Sequence, residues 1–120
     1  MRKIDIFILS LVLTTTAVFA RDAREQARID FLMDSLGQLK GATFIRNGRE
    51  YDAAAARSHL QDKLNYGGEK IQTAEQFIKY CATESSISHK PYQIRFADGH
   101  TVNTADYFSA KLREFDQAKH

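Results

Sequence analysis

A chain of 120 residues, 27% charged and 43% hydrophobic, has room for one ordinary domain with a modest core. Its 17 lysines and arginines against 15 aspartates and glutamates leave no clustered positive excess, which argues against a nucleic-acid binder. Cys81 is the only cysteine, so no disulfide can close within the chain and the fold must hold by packing.

The first twenty residues have the order of a secretory signal peptide. A basic Met1-Arg2-Lys3 start leads into an apolar run from Ile6 through Leu13, then three threonines, then Ala17-Val18-Phe19-Ala20 before the charged Arg21-Asp22. Val18 and Ala20 are the small residues a signal peptidase needs. A spanning helix takes about 20 predominantly apolar residues, and this run is shorter and diluted by threonine. Asp5 is the one residue out of keeping with a basic start. The expected organisation is a signal peptide over 1–20 and one globular domain over 21–120, periplasmic or secreted, with no membrane attachment after cleavage. Without Arg2, Lys3 and Asp5 the mature chain keeps 15 basic and 14 acidic residues.

Ile29, Leu32, Met33 and Leu36 recur at i, i+3, i+4 and i+7, which predicts an amphipathic helix within 22–39 that Gly41 would stop. Thr43-Phe44-Ile45-Arg46 reads as a short strand, Asn47-Gly48 as a tight turn whose residues tolerate positive φ, and Arg49-Glu50-Tyr51 as the return arm. Asp52 caps a second helix with Ala53, Ala56, Leu60 and Leu64 on its buried stripe, closed by Gly67-Gly68. Thr73 with Gln76 forms a capping-box pattern that opens a third helix, with Ala74, Phe77, Ile78, Cys81 and Ala82 on one face. Tyr92, Ile94 and Phe96 alternate with Gln93 and Arg95 as a half-buried strand does. Asp98-Gly99 then turns the chain into His100-Thr101-Val102. Asn103 or Thr104 caps a last helix carrying Ala105, Phe108, Leu112 and Phe115. The expected fold is α+β, with about four helices and two short hairpins that gain stability by joining into one small antiparallel sheet. If the hairpins did not form, a helical bundle would remain.

Several short motifs in fixed order resemble the YfeK-type proteins, a family of small exported bacterial proteins of unknown function. The likeness is carried by Phe44-Ile45-Arg46-Asn47-Gly48 with Tyr51, His59-Leu60 with Lys63-Leu64, Thr73-Ala74-Glu75 with Phe77-Ile78, and Ser85-Ser86-Ile87-Ser88 running into Lys90-Pro91-Tyr92. It covers residues 27 to 115 and implies a bacterial envelope address but no activity. His89 departs from the family pattern, which has a glycine before the Lys-Pro-Tyr. Glycine there suggests a positive-φ turn that histidine adopts less easily.

No catalytic signature stands out. His59 lies at the edge of a buried stripe, where a histidine could move protons near neutral pH, although a packed or surface histidine with a local partner is the commoner outcome. Ser85, Ser86 and Ser88 with Lys90 invite a nucleophile reading, but Ile87 occupies the position a Ser-x-x-Lys motif would need, and turn-forming hydroxyls are the ordinary use of such a loop. His59, His89, His100 and His120 are too far apart in sequence to read as a metal motif, and no metal or other cofactor is expected. Cys81 reads as a small buried hydrophobe. The polar residues that concentrate on the two hairpins and the loop before the second give the candidate binding set Arg46, Asn47, Tyr51, His59, Lys90 and Tyr92, joined on that surface by Arg49 and Arg95. Arginine forks and aromatic faces suit carboxylate, phosphate or glycan contacts, and Arg46 and Lys90 are expected to be solvent-exposed neighbours. The leading expectation is a non-catalytic accessory or binding module contacting an unknown envelope component or protein. The rivals are an envelope hydrolase using His59 and the Ser85/Ser86 loop, and a structural or stress-protective protein with no defined ligand.

Overall fold

The structure is a computed structural model that describes residues 19–118, so most of the expected signal peptide and the last two residues lie outside the described part. Four helices, α1 (Ala23–Leu36), α2 (Ala53–Gly67), α3 (Ala74–Cys81) and α4 (Thr104–Gln117), pack on a four-stranded sheet of β1 (Thr43–Arg46), β2 (Arg49–Tyr51), β3 (Gln93–Arg95) and β4 (Thr101–Asn103). The sheet is antiparallel throughout, in the order β2-β1-β3-β4, so the fold is α+β as the sequence predicts. No described helix is long and apolar enough to cross a membrane.

Local signals set the elements. Asp52 caps α2 by accepting from Ala55 N–H, and Thr73 and Gln76 form the reciprocal capping box at α3. Asn47 and Gly48 both take positive φ, 53° and 74°, which gives the turn the twist that a two-residue hairpin requires. Helix α1 ends earlier than expected. Its C-cap is Gly37, and Gly41, at φ 73°, lies in the turn that leads to β1.

The two hairpins become one sheet through β1 and β3, where Phe44 lies opposite Ile94 and Ile45 opposite Gln93. Phe44 and Ile94 face the helices, and Ile29, Leu32, Met33, Leu36, Phe77, Ile78, Phe108 and Leu112 complete the core. The Phe77 and Phe108 rings lie 5.9 Å apart, joining α3 to α4. Cys81 is buried in this core as its helix face requires, and desolvation pushes its thiol up to about 11. Beneath the core, Arg28 on α1 reaches Glu25 on its own helix, Glu75 on α3 and Asp116 on α4.

Candidate functional site

Side chains alternate across a strand, so Arg46 shares a face with Phe44 and therefore points toward the helices. One further step along the β1–β3 register sets Arg46 opposite Tyr92. Tyr92 is fixed at both backbone groups: its N–H donates to the Thr83 carbonyl at 3.1 Å and its carbonyl accepts from Thr104 N–H at 2.8 Å. Helix α2 crosses above and supplies His59 and, one turn on, Lys63.

These four side chains form one hydrogen-bonded chain. Arg46 Nη1 lies 3.3 Å from His59 Nδ1, and His59 Nε2 lies 3.2 Å from Tyr92 Oη. Lys63 Nζ donates to Tyr92 Oη at 3.1 Å and sits 5.0 Å from the centre of the tyrosine ring. Because a guanidinium can only donate, the Arg46 contact needs an unprotonated Nδ1. The neutral His59 then carries its proton on Nε2 and donates to Tyr92. Desolvation lowers the His59 pKa from its ordinary value, and the charges of Arg46 and Lys63 lower it further against a weaker pull from Asp62. Beside the chain lies a cavity of about 40 Å³ that reaches down to buried Leu36, Phe44 and Leu60, with half-buried Arg46, Tyr51, Ala56 and His59 at its edge. Arg46 Nε is buried and has no acceptor among the described residues.

Residues 23–116 match a family model described as a family of unknown function, DUF5329. The chain belongs to this family. A relative in Salmonella typhimurium, "Uncharacterized protein YfeK", is 44% identical over 92 residues, which are 77% of each chain. The YfeK-type resemblance read from the motifs is thereby shown. No solved structure matches the chain.

Across this DUF5329 domain the structure gathers the sequence-predicted residues unevenly. Arg46, His59 and Tyr92 are bonded together, and Tyr51, opposite Phe44 on β2, lines the same cavity. Asn47 is bonded to the hydroxyl of Ser88, which ties the β1–β2 turn to the loop that carries exposed Lys90. Arg46 differs from expectation: it is half-buried because its strand parity turns it inward. Arg95 and Arg49 stand apart from the cluster, Arg95 paired with Glu50 and Arg49 exposed on β2. Lys63 was not among the candidates. Its signal was the four-residue spacing from His59, which stacks the two side chains on one helix face.

The serine loop has a different job from the one a nucleophile would need. Ser85 is buried, and its hydroxyl accepts from the N–H groups of Ile87 and Ser88 at 3.2 and 3.4 Å while its backbone pairs with Lys90 and His89. Both ring nitrogens of His59 are engaged by Arg46 and Tyr92 rather than by a serine. Ser86 is exposed and lines a separate open groove with Lys63, Tyr66 and Tyr80. Nothing in this arrangement supports the hydrolase alternative.

Proposed function

We propose that this DUF5329 protein is an exported, non-catalytic binding module of the bacterial envelope. Its binding surface is the face built from Arg46, Asn47, Tyr51, His59, Lys63, Lys90 and Tyr92. The n-region, apolar run and small residues ahead of Arg21 support export to the periplasm. The observation that carries the binding role is convergence. The Arg46-His59-Tyr92-Lys63 chain and the Asn47–Ser88 bond link side chains from β1, α2 and the loop before β3, which supports a shared cationic and aromatic surface. Arginine and tyrosine are the residues that most often anchor a binding surface.

The test is crosslinking capture of the tagged protein from envelope extracts, run beside Lys90→Ala and Arg46→Ala. The protein recovered from the periplasmic fraction should have the intact mass of a chain beginning at Arg21. Lys90→Ala should lose partners while its stability stays within about 0.5 kcal/mol, as a surface change does. Undiminished capture by both variants, or recovery of uncleaved chain from the membrane fraction, would overturn the proposal.

A further inference from the structure

Arg46 and Lys63 are both half-buried, yet neither forms an ion pair with a described residue. Other arginines are ion-paired, Arg28 with three carboxylates, Arg57 with Asp34 and Arg95 with Glu50, and half-buried Arg21 is held by two oxygen acceptors, the Ile71 carbonyl and Gln26 Oε1. Buried or part-buried cations ordinarily have such partners. The donor count in the cluster is equally one-sided. Arg46 brings five N–H donors, Lys63 three, neutral His59 one and Tyr92 one, while the acceptors that face them are His59 Nδ1, Tyr92 Oη and the Glu84 carbonyl, 3.4 Å from Lys63 Nζ. The Tyr92 hydroxyl already receives Lys63 and His59, so its own proton is left for an outside acceptor. Arg46 Nε is buried on the edge of an apolar cavity with no described acceptor.

Resting on the binding role proposed above, we propose that this cavity is a site for a ligand carrying a carboxylate with a short apolar substituent. The carboxylate accepts from Arg46 and the Tyr92 hydroxyl, both on the cavity lining, and the substituent fills the space over Leu36, Phe44 and Leu60. A planar carboxylate matches the guanidinium fork, and its single negative charge offsets part of the two positive ones. The cavity of about 40 Å³ sets the scale of the substituent, since a single water needs roughly 10–15 Å³ on the same measure. A methyl or ethyl group suits it, and a long acyl chain does not. The groups facing His59 are Arg46 from β1, Tyr51 from β2, Tyr92 before β3, and Asp62 and Lys63 on its own helix. A bound carboxylate adds a second negative charge to that set and so raises the His59 midpoint.

The probes are acetate, propionate and hexanoate, added to the mature protein against matched chloride and against inorganic phosphate. Binding is followed through the NMR signals of the His59 ring and the Arg46 Nε–H. Propionate should give saturable shifts and move the His59 midpoint upward, and acetate and hexanoate should bind more weakly. Tyr92→Phe, which keeps the ring and removes the hydroxyl on the cavity lining, should weaken propionate about tenfold, the effect of one hydrogen bond to a charged group. Ala56→Leu should erase the preference for propionate over acetate by filling the cavity while leaving the cations in place. Shifts that chloride reproduces, or phosphate binding as tight as propionate, would overturn the carboxylate assignment. So would affinity that Tyr92→Phe leaves unchanged. Any of these together with partner capture that still depends on Lys90 would leave the binding module standing and remove only its ligand class.

Discussion

At the scale of single residues, backbone strain at His89 connects a sequence anomaly to a measurable cost. His89 adopts φ 58°, the conformation that a glycine would supply at this point of the family pattern. Its N–H still donates to the Ser85 carbonyl at 2.9 Å, so the turn is kept and the strain is borne by the residue. A left-handed conformation costs an L-residue about 1–2 kcal/mol, and glycine returns part of that gain through the freedom of its unfolded chain. Among the described residues, the side-chain hydrogen bond that His89→Gly would lose is an exposed one to Glu84 at 3.4 Å. The substitution should therefore stabilise the protein by about 0.5 kcal/mol, a rise of a few degrees in Tm for a domain of this size. A fall in Tm would mean that the His89 side chain contributes more than its backbone strain removes. The turn at His89 was suggested only through the glycine of the family pattern, and whether histidine would keep its positive φ was not readable from the sequence. The inward turn of Arg46 was missed: a charged residue at a strand end reads as solvent-facing until a helix is known to cover it, and its parity with Phe44 gains meaning only then.

At the scale of elements, Arg28 joins three helices that the sequence presents as independent. Its guanidinium meets Glu25, Glu75 and Asp116, the last through Nε and Nη2, and Glu25 Oε1 also accepts from Ala74 N–H at the start of α3. The guanidinium is 8% exposed, whereas Glu75 is 59% and Asp116 36%, so water screens part of each pair. Arg28→Met keeps the apolar stem but leaves carboxylates facing one another, and it should cost about 2 kcal/mol. A lower urea midpoint with an unchanged m-value would register that loss. A midpoint within error of the parent would show that solvent already satisfies the three acids. In the sequence Arg28 looks like one more charge between the apolar positions of α1, because nothing local reveals that α3 and α4 bring acids to it. The helices and hairpins themselves were readable, since caps, Asn47-Gly48 and the alternation around Ile94 act within a few residues. The early end of α1 at Gly37 was missed because Gly41 looked the stronger stop, whereas Gly41 serves the turn into β1.

At the scale of the whole molecule, the β1–β3 pairing decides the site. It sets Arg46 opposite Tyr92 and brings the serine loop against the first hairpin, and no local signal specifies a register between strands so distant in sequence. With α2 laid across that seam, Arg46, His59, Lys63 and Tyr92 become one cationic, donor-rich cluster, and this clustering is the claim on which the binding role and the carboxylate ligand both depend. Its electrostatic consequence is a His59 held neutral. The folded pKa lies below the ordinary 6.5 of an unfolded histidine, so the unfolded chain binds the proton more readily. Stability linked to His59 is therefore present at neutral pH and is lost as the pH falls from about 6.5 through the folded value. The most direct measurement is an NMR titration of the His59 ring in ligand-free protein, in the parent and in Lys63→Met. The cluster predicts a midpoint below 6.5 in the parent that rises when the lysine charge is removed. A midpoint at or above 6.5 that Lys63→Met leaves unmoved would contradict it.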